Sequence, residues 1–192
     1  MKMKFFETIK IENNIFYNLD YHQERFEKTY FENFGQVSNL KIVEFLKPFH
    51  KCTRAKFVYG FDFFEMSYFD YYQKNIEKIK LVEINDFDYT YKLFDRVFFD
   101  DLLNQNQNID EIFMFKNGLL TDCTIANIVI LEDNNWISPK KPLLFGTTLK
   151  RFGDLGTVLF DDIDYNRLIK AQKIGLLNAM IGFKIFDKLE FV

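Results

Sequence analysis

The sequence predicts a mixed α/β fold of the α+β kind, built as two lobes. Three observations predict it. Short runs rich in aromatic and β-branched residues recur through both halves of the chain, at 3–11, 54–59, 63–72, 79–84, 111–115 and 128–131. Stretches with helical spacing and cap signals stand among them, at 21–34, 93–104 and 164–171. A polar connection at 86–91 separates the halves, so the expected lobes are 1–88, small and α+β, and 89–192, larger.

The elements follow in order. Residues 3–11 alternate loosely, Asn13-Asn14 is a turn signal, and Ile15-Phe16-Tyr17 returns as a second short strand. Asn18 or Asp20 offers a side-chain oxygen to cap a helix over 21–34 that stops near Gly35. A second helix over 40–46 ends before Pro48, and strands at 54–59, 63–72 and 79–84 complete the small lobe. Helix resumes at 93–104, where Leu93, Val97 and Leu102 lie near one face. Beyond the Gln/Asn-rich turn at 104–108, a strand at 111–115 meets the strong turn Asn117-Gly118, and another strand follows at 128–131. Pro139 and Pro142 fix a loop, Gly146-Thr147-Thr148 opens a helix through about 152, and the last strands fall within 174–191. No internal repeat and no low-complexity linker is present.

Composition excludes several classes. With 192 residues and 48% hydrophobic content, the chain can bury a sizeable core. No apolar stretch approaches the roughly 20 residues of a spanning helix, and the first residues show no signal-peptide pattern, so a cytoplasmic protein without membrane contact is expected. The net charge is −3 with no basic stripe, which argues against nucleic acid as a partner. Cys52, Cys123, His22 and His50 do not make a zinc framework, so no metal is expected, and free thiols are expected over a disulfide.

A few residues could carry chemistry. Lys92 stands between aromatic residues, where desolvation favours the neutral amine that attacks an aldehyde. Asp122 lies in an odd mixture of turn, carboxylate, hydroxyl and amide between two apolar strands, with Thr124 and Asn127. Gly146-Thr147-Thr148 ahead of a helix can cradle an anion. Arg25 is three residues from His22 on one helix face, and its fork suits phosphate. Taken singly, each also has an ordinary reading: a surface lysine, a polar loop, an N-cap, and an arginine paired with Glu24 or Glu27.

Their order along the chain carries more than any one of them. Phe6-Glu7-Thr8 followed by His22-x-x-Arg25, then Lys92 with Arg96, then Gly118-Leu-Leu-Thr-Asp122-Cys-Thr-Ile-Ala-Asn127, then Pro142-Leu-Leu-Phe-Gly146-Thr147-Thr148, then Asn178-Ala-Met-Ile-Gly182, resembles the class IV aminotransferase family over essentially the whole chain. The resemblance implies two α/β lobes with pyridoxal 5′-phosphate (PLP) between them, a small-molecule amine as substrate, and a homodimer whose partner loop closes the site. It implies that Lys92 binds the cofactor covalently and moves protons. Arg25, Thr147 and Thr148 would hold its phosphate, with Asn178 nearby. Asp122 would face the pyridine nitrogen, and Thr124 and Asn127 would line or support the ring site.

Four departures stand out. The chain is short for the family, position 122 is Asp where Glu is usual, Leu149 replaces a frequent arginine, and no paired clamp for a substrate carboxylate is evident. Thr121-Asp-Cys-Thr-Ile-Ala-Asn127 and Asn178-Ala179 are similar to the branch that cleaves 4-amino-4-deoxychorismate to pyruvate and 4-aminobenzoate, a folate precursor. A branched-chain or D-amino-acid transaminase and a non-catalytic cofactor-binding homologue are the alternatives.

Overall fold

The computed structural model describes residues 3–85, 87–186 and 188–192. In the first of its two units, strands β1 (Phe5–Glu12) and β2 (Ile15–Phe16) form the expected hairpin, and Asn13 and Asn14 both take left-handed backbone at its turn. Helix α1 (Leu19–Phe34) ends at Gly35, whose φ of 68° lets its N–H reach the Phe31 carbonyl. At the other end Asn18 is the N-cap, but in left-handed conformation and without a side-chain cap bond. Its value there is tolerance of positive φ rather than an acceptor oxygen. The expected helix over 40–46 is only a 3₁₀ turn, Ile42–Phe45. Strands β3 (Thr53–Gly60) and β4 (Phe63–Asp70) complete an antiparallel sheet in the order β2-β1-β3-β4. The core between this sheet and α1 holds Phe5, Ile9, Ile11, Phe26, Ile42, Phe57 and Tyr59.

The units are the chain up to Gln73 with Tyr91–Asp95, and Lys74–Thr90 with Arg96–Val192. The chain therefore changes unit three times rather than once at 86–91, a stretch in which Asp86 lies outside the described residues. Pairing explains this. Strand β5 (Lys78–Glu83) runs parallel to β6 (Glu111–Lys116), which assigns it to the second sheet and not to the first unit. Residues 91–95 run beside β1 without forming helix, and there Phe6 N–H donates to the Lys92 carbonyl at 3.0 Å and Phe94 N–H to the Lys4 carbonyl at 2.9 Å. Helix α2 (Val97–Gln105) accordingly starts four residues later than its spacing predicts, and its buried residue is Phe99, while Val97 is exposed.

The second unit continues with β7 (Leu119–Cys123), β8 (Asn127–Glu132), β9 (Asn135–Pro139), α3 (Thr147–Asp154), β10 (Val158–Asp161), α4 (Tyr165–Lys170), β11 (Lys173–Asn178), β12 (Gly182–Phe186) and β13 (Glu190–Phe191). Its sheet runs β10-β9-β8-β7-β6-β5-β13, and β11 adds to β8 and carries β12. Asn117 and Gly118 take left-handed backbone between β6 and β7, as expected, and Asp133 and Asn134 do the same between β8 and β9. Strands β7, β9 and β10 are additions to the expected set, and Asp122 lies on β7 rather than in a loop between strands. The main core of this unit includes Phe113, Leu120, Ile128, Ile130, Leu168 and Leu176. Leu149 is fully buried with Val129, Val158 and Leu177, which explains an apolar residue at that position of α3. No helix among the described residues is long and apolar enough to cross a membrane.

Candidate active site

In the first unit, Phe5, Glu7, Ile9 and Ile11 occupy alternate positions of β1 and are all fully buried, so a carboxylate interrupts an apolar stripe. Facing it, α1 buries His22 and Phe26 one turn apart, with Arg25 beside them. Arg25 reaches across to β1: its Nε donates to Glu7 Oε1 at 2.8 Å and its Nη2 to Oε2 at 2.6 Å. His22 Nδ1 donates to the same Oε2 at 2.7 Å. Burial pushes the Glu7 carboxyl up, but the Arg25 charge and the bonds from His22 and Arg25 together outweigh it and hold it at about 2. Burial pushes the His22 imidazole down, and the charges of Arg25 and Lys92 add to this, against the pull of Glu7. His22 is thus neutral, with Nδ1–H on Glu7 and an Nε2 that has no partner among the described residues.

Lys92 also belongs to this unit. Its backbone is held by β1, it is half-buried, and its Nζ lies 4.6 Å from the centroid of the buried Phe6 ring. Lys56 approaches the same ring at 4.9 Å.

In the second unit, Asp122 and Asn127 are both buried and organise the loop that leads into α3. Asn127 Nδ2 donates to Asp122 Oδ1 at 2.6 Å and to the Leu144 carbonyl at 2.7 Å, and its Oδ1 accepts from Gly146 N–H at 3.1 Å. Asp122 Oδ2 accepts from Leu144 N–H at 2.9 Å. Gly146 is the N-cap of α3 and makes no side-chain cap bond, so the first donors of the helix are not capped by it. Thr147 and Thr148 are buried, and the Thr148 Oγ1 is itself buried without a partner among the described residues.

Thr124 and Asn178 both brace loops of the second unit. The Thr124 hydroxyl donates to Glu111 Oε1 at 2.6 Å, its N–H to the same oxygen at 3.1 Å, and its carbonyl accepts from Arg96 Nη2 at 2.7 Å. Thr124 therefore braces the turn between β7 and β8. Asn178 Oδ1 accepts from Met180 and Ile181 N–H, and its Nδ2 donates to the Ile125 carbonyl, which closes the β11–β12 turn against the same loop. Glu7 and Glu111 had no assigned role from sequence. Glu7 carried a signal, an acid at an inward position of an alternating strand, whereas Glu111 sits at a strand start like any surface acid.

The residues present fit PLP on three observations. The uncapped α3 N-terminus beside an orphaned buried hydroxyl suits a phosphate. A Cβ at Gly146 would stand 2.2 Å from Asn127 Oδ1, so the loop is a cradle only glycine allows. Lys92 is a half-buried amine on a braced segment. Both cysteines are free, and no cluster of His, Cys, Asp or Glu among the described residues could hold a metal.

The Glu7 charge predicts acid lability. Its folded value, about 2, lies below the ordinary 4.5, so its contribution is complete above pH 4.5 and is lost as pH falls toward 2. The His22 value is also depressed, so it acts in the same direction from its ordinary 6.5 downward. Urea midpoints measured from pH 7 to pH 3 are expected to fall steeply below 4.5 in the wild type, by at most about 3 kcal/mol from Glu7. The fall should be shallower in Glu7→Gln; parallel curves for the two proteins would refute the assignment.

The family model for class IV amino-transferases matches residues 78–185. A Haemophilus influenzae protein, named only as uncharacterised, is 30% identical over 183 residues, which is 92% of this chain and 97% of that one. The crystal structure of a Haemophilus somnus 129PT protein, provisionally named a 4-amino-4-deoxychorismate lyase, is 29% identical with a TM-score of 0.86, over 95% of this chain and 98% of that one. The short length is therefore shared with both. A hypothetical aminotransferase of Mycobacterium tuberculosis, in its PLP-bound form, is 12% identical with a TM-score of 0.79, over 97% of this chain and 81% of that one, and shows the same fold. From its sequence match and its relatives, the chain belongs to the class IV aminotransferase family.

Proposed function

We propose that the protein binds PLP and is a lyase that converts 4-amino-4-deoxychorismate to 4-aminobenzoate and pyruvate. The observation that carries the cofactor is the α3 N-terminus, with Gly146 pressed against Asn127 and the buried Thr148 hydroxyl left without a partner. Arg25, Thr147 and Thr148 are each of a kind that a phosphate ester takes, and the family resemblance gives each of them to the cofactor phosphate. When bound, PLP supplies an electron sink for the pair released at the amine-bearing carbon of the substrate. Lys92 Nζ would hold the cofactor, and as a free amine it would take the proton from that carbon. Asp122 would face the pyridine nitrogen, and its bonds to Asn127 and Leu144 N–H hold the carboxyl in place. Departure of the enolpyruvyl oxygen and protonation of the resulting enol give pyruvate and an aromatic amine.

The lyase reading is supported by Thr121-Asp-Cys-Thr-Ile-Ala-Asn127, by Asn178-Ala179, and by the likeness to the Haemophilus somnus protein. A lyase needs no second half-reaction with a 2-oxo acid, which accords with a sequence in which no paired carboxylate clamp is evident. A cytoplasmic homodimer is part of the same proposal, and Phe61, Phe64, Phe69 and Tyr72 on and beside β4 expose apolar surface that a second copy could cover.

The test is to incubate the PLP-loaded protein with 4-amino-4-deoxychorismate and assay pyruvate and 4-aminobenzoate. Equal amounts of the two, with no 2-oxo acid added, are expected. If neither forms, but branched-chain or D-amino acids convert the cofactor to its amine form and a 2-oxo acid restores it, the protein is a transaminase.

A further inference from the structure

Glu7 is a residue of the core by position and a charged group by chemistry. An apolar side chain there would complete the buried stripe of Phe5, Ile9 and Ile11. A buried ion pair is a poor device for stability, because desolvating both charges offsets most of their attraction, and apolar replacements are often neutral or better. What such a pair does supply is geometry.

That geometry is specific. Glu7 takes Arg25 by the Nε and Nη2 side, one oxygen to each nitrogen, at 2.8 and 2.6 Å. A guanidinium is planar and rigid, so two parallel bonds along one side fix both its plane and its rotation. The donors of Nη1 and the outer hydrogen of Nη2 then have a set direction. His22 donates from the other side to Oε2, which stops the carboxylate from turning about its own bond. Glu7 is anchored on β1 opposite Phe57 of β3, while His22 and Arg25 lie one turn apart on α1. The triad thus couples a strand to a helix with nothing left to rotate.

We propose that Glu7, backed by His22, is a positioning residue that orients the Arg25 guanidinium toward an oxyanion, the phosphate ester of PLP. The proposal rests on the reading of the protein as a PLP binder and deepens it. Glu7 itself touches no ligand. Its role predicts an effect on the phosphorylated cofactor and not on the same molecule without its phosphate.

The test compares PLP with pyridoxal by equilibrium dialysis, for wild type, Glu7→Asp and Glu7→Gln, with circular dichroism as the check on folding. The wild type is expected to prefer PLP. Glu7→Asp keeps the buried charge, and with it the fold, but is one methylene too short to hold both nitrogens. It should reduce the preference for PLP roughly 10- to 100-fold, the worth of one or two charge-assisted hydrogen bonds, and change pyridoxal affinity by less than about 3-fold. Glu7→Gln should do the same in whatever fraction folds. A purely structural role would weaken both ligands alike and leave their ratio unchanged. That result, with a wild type that prefers PLP, would overturn the proposal alone. A wild type without preference for the phosphorylated form would overturn both the proposal and the reading beneath it.

Discussion

Lys92→Ala is expected to abolish borohydride-fixed cofactor and to lower turnover by at least about 10³-fold, within the range for removing a catalytic base that also bonds to the reacting group. The protein should stay folded. The bonds that brace Lys92 come from its backbone carbonyl and its neighbours, and alanine leaves them in place. The side chain is half-buried and lies over the Phe6 ring, a contact worth about 1 kcal/mol. Lys56→Ala is the control. That lysine stands over the same ring at a similar distance, on the neighbouring strand β3. It should keep its label and most of its activity. The measurement is the mass of the reduced protein with and without PLP, alongside the melting temperature of each variant. A label that survives in Lys92→Ala, or moves with Lys56, would remove Lys92 from the chemistry.

Gly146→Ala should be the most damaging small substitution in the second unit. The backbone at Gly146, φ −67° and ψ 148°, accepts any residue, so the effect is one of space alone. The new methyl would stand 2.2 Å from Asn127 Oδ1. Asn127 cannot yield cheaply, because its amide holds Asp122, the Leu144 carbonyl and Gly146 N–H at once. Losing two or three of these buried bonds is expected to destabilise the protein by about 3 kcal/mol. The loop that carries Thr147 and Thr148 would shift with it, and a displacement near 1 Å is enough for a loss of about 100-fold in cofactor binding. Gly156→Ala separates the two effects. Its φ of 67° is strained for alanine, but a Cβ there meets open space, so a cost of about 1 kcal/mol with unchanged PLP affinity is expected. Urea midpoints and equilibrium dialysis measure both quantities. Equal PLP affinity in Gly146→Ala and wild type would show that the loop does not depend on this contact.

Much of this protein is written locally. Asn13-Asn14 and Asn117-Gly118 mark two hairpins because few residues take left-handed backbone without strain, and Gly35 ends α1 for the same reason. The family, too, is legible as an order of short patterns from Phe6-Glu7-Thr8 to Gly146-Thr147-Thr148. Such signals depend on neighbours a few residues apart, and a sequence records those directly.

Other features depend on partners far along the chain. The stretch from Leu93 has the spacing of a helix, yet 91–95 is not helical, because its backbone bonds to Phe6 and Lys4 at β1 instead. Strand β5 reads as one more strand of the first unit, and only its parallel register with β6, Ile79 opposite Glu111, moves it to the second. The site divides in the same way. Lys92, Arg25 and Asp122 could be named from their patterns, but that Arg25 meets Glu7, eighteen residues earlier on a strand, could not. The Thr124 hydroxyl turns to Glu111 and the Asn178 amide closes its own turn. Residue types and their order by themselves determined the family, the secondary-structure signals and the candidate groups. Which carboxylate meets which donor was decided only by tertiary structure, because a buried charge takes whatever partner the packing of distant elements brings within hydrogen-bond reach.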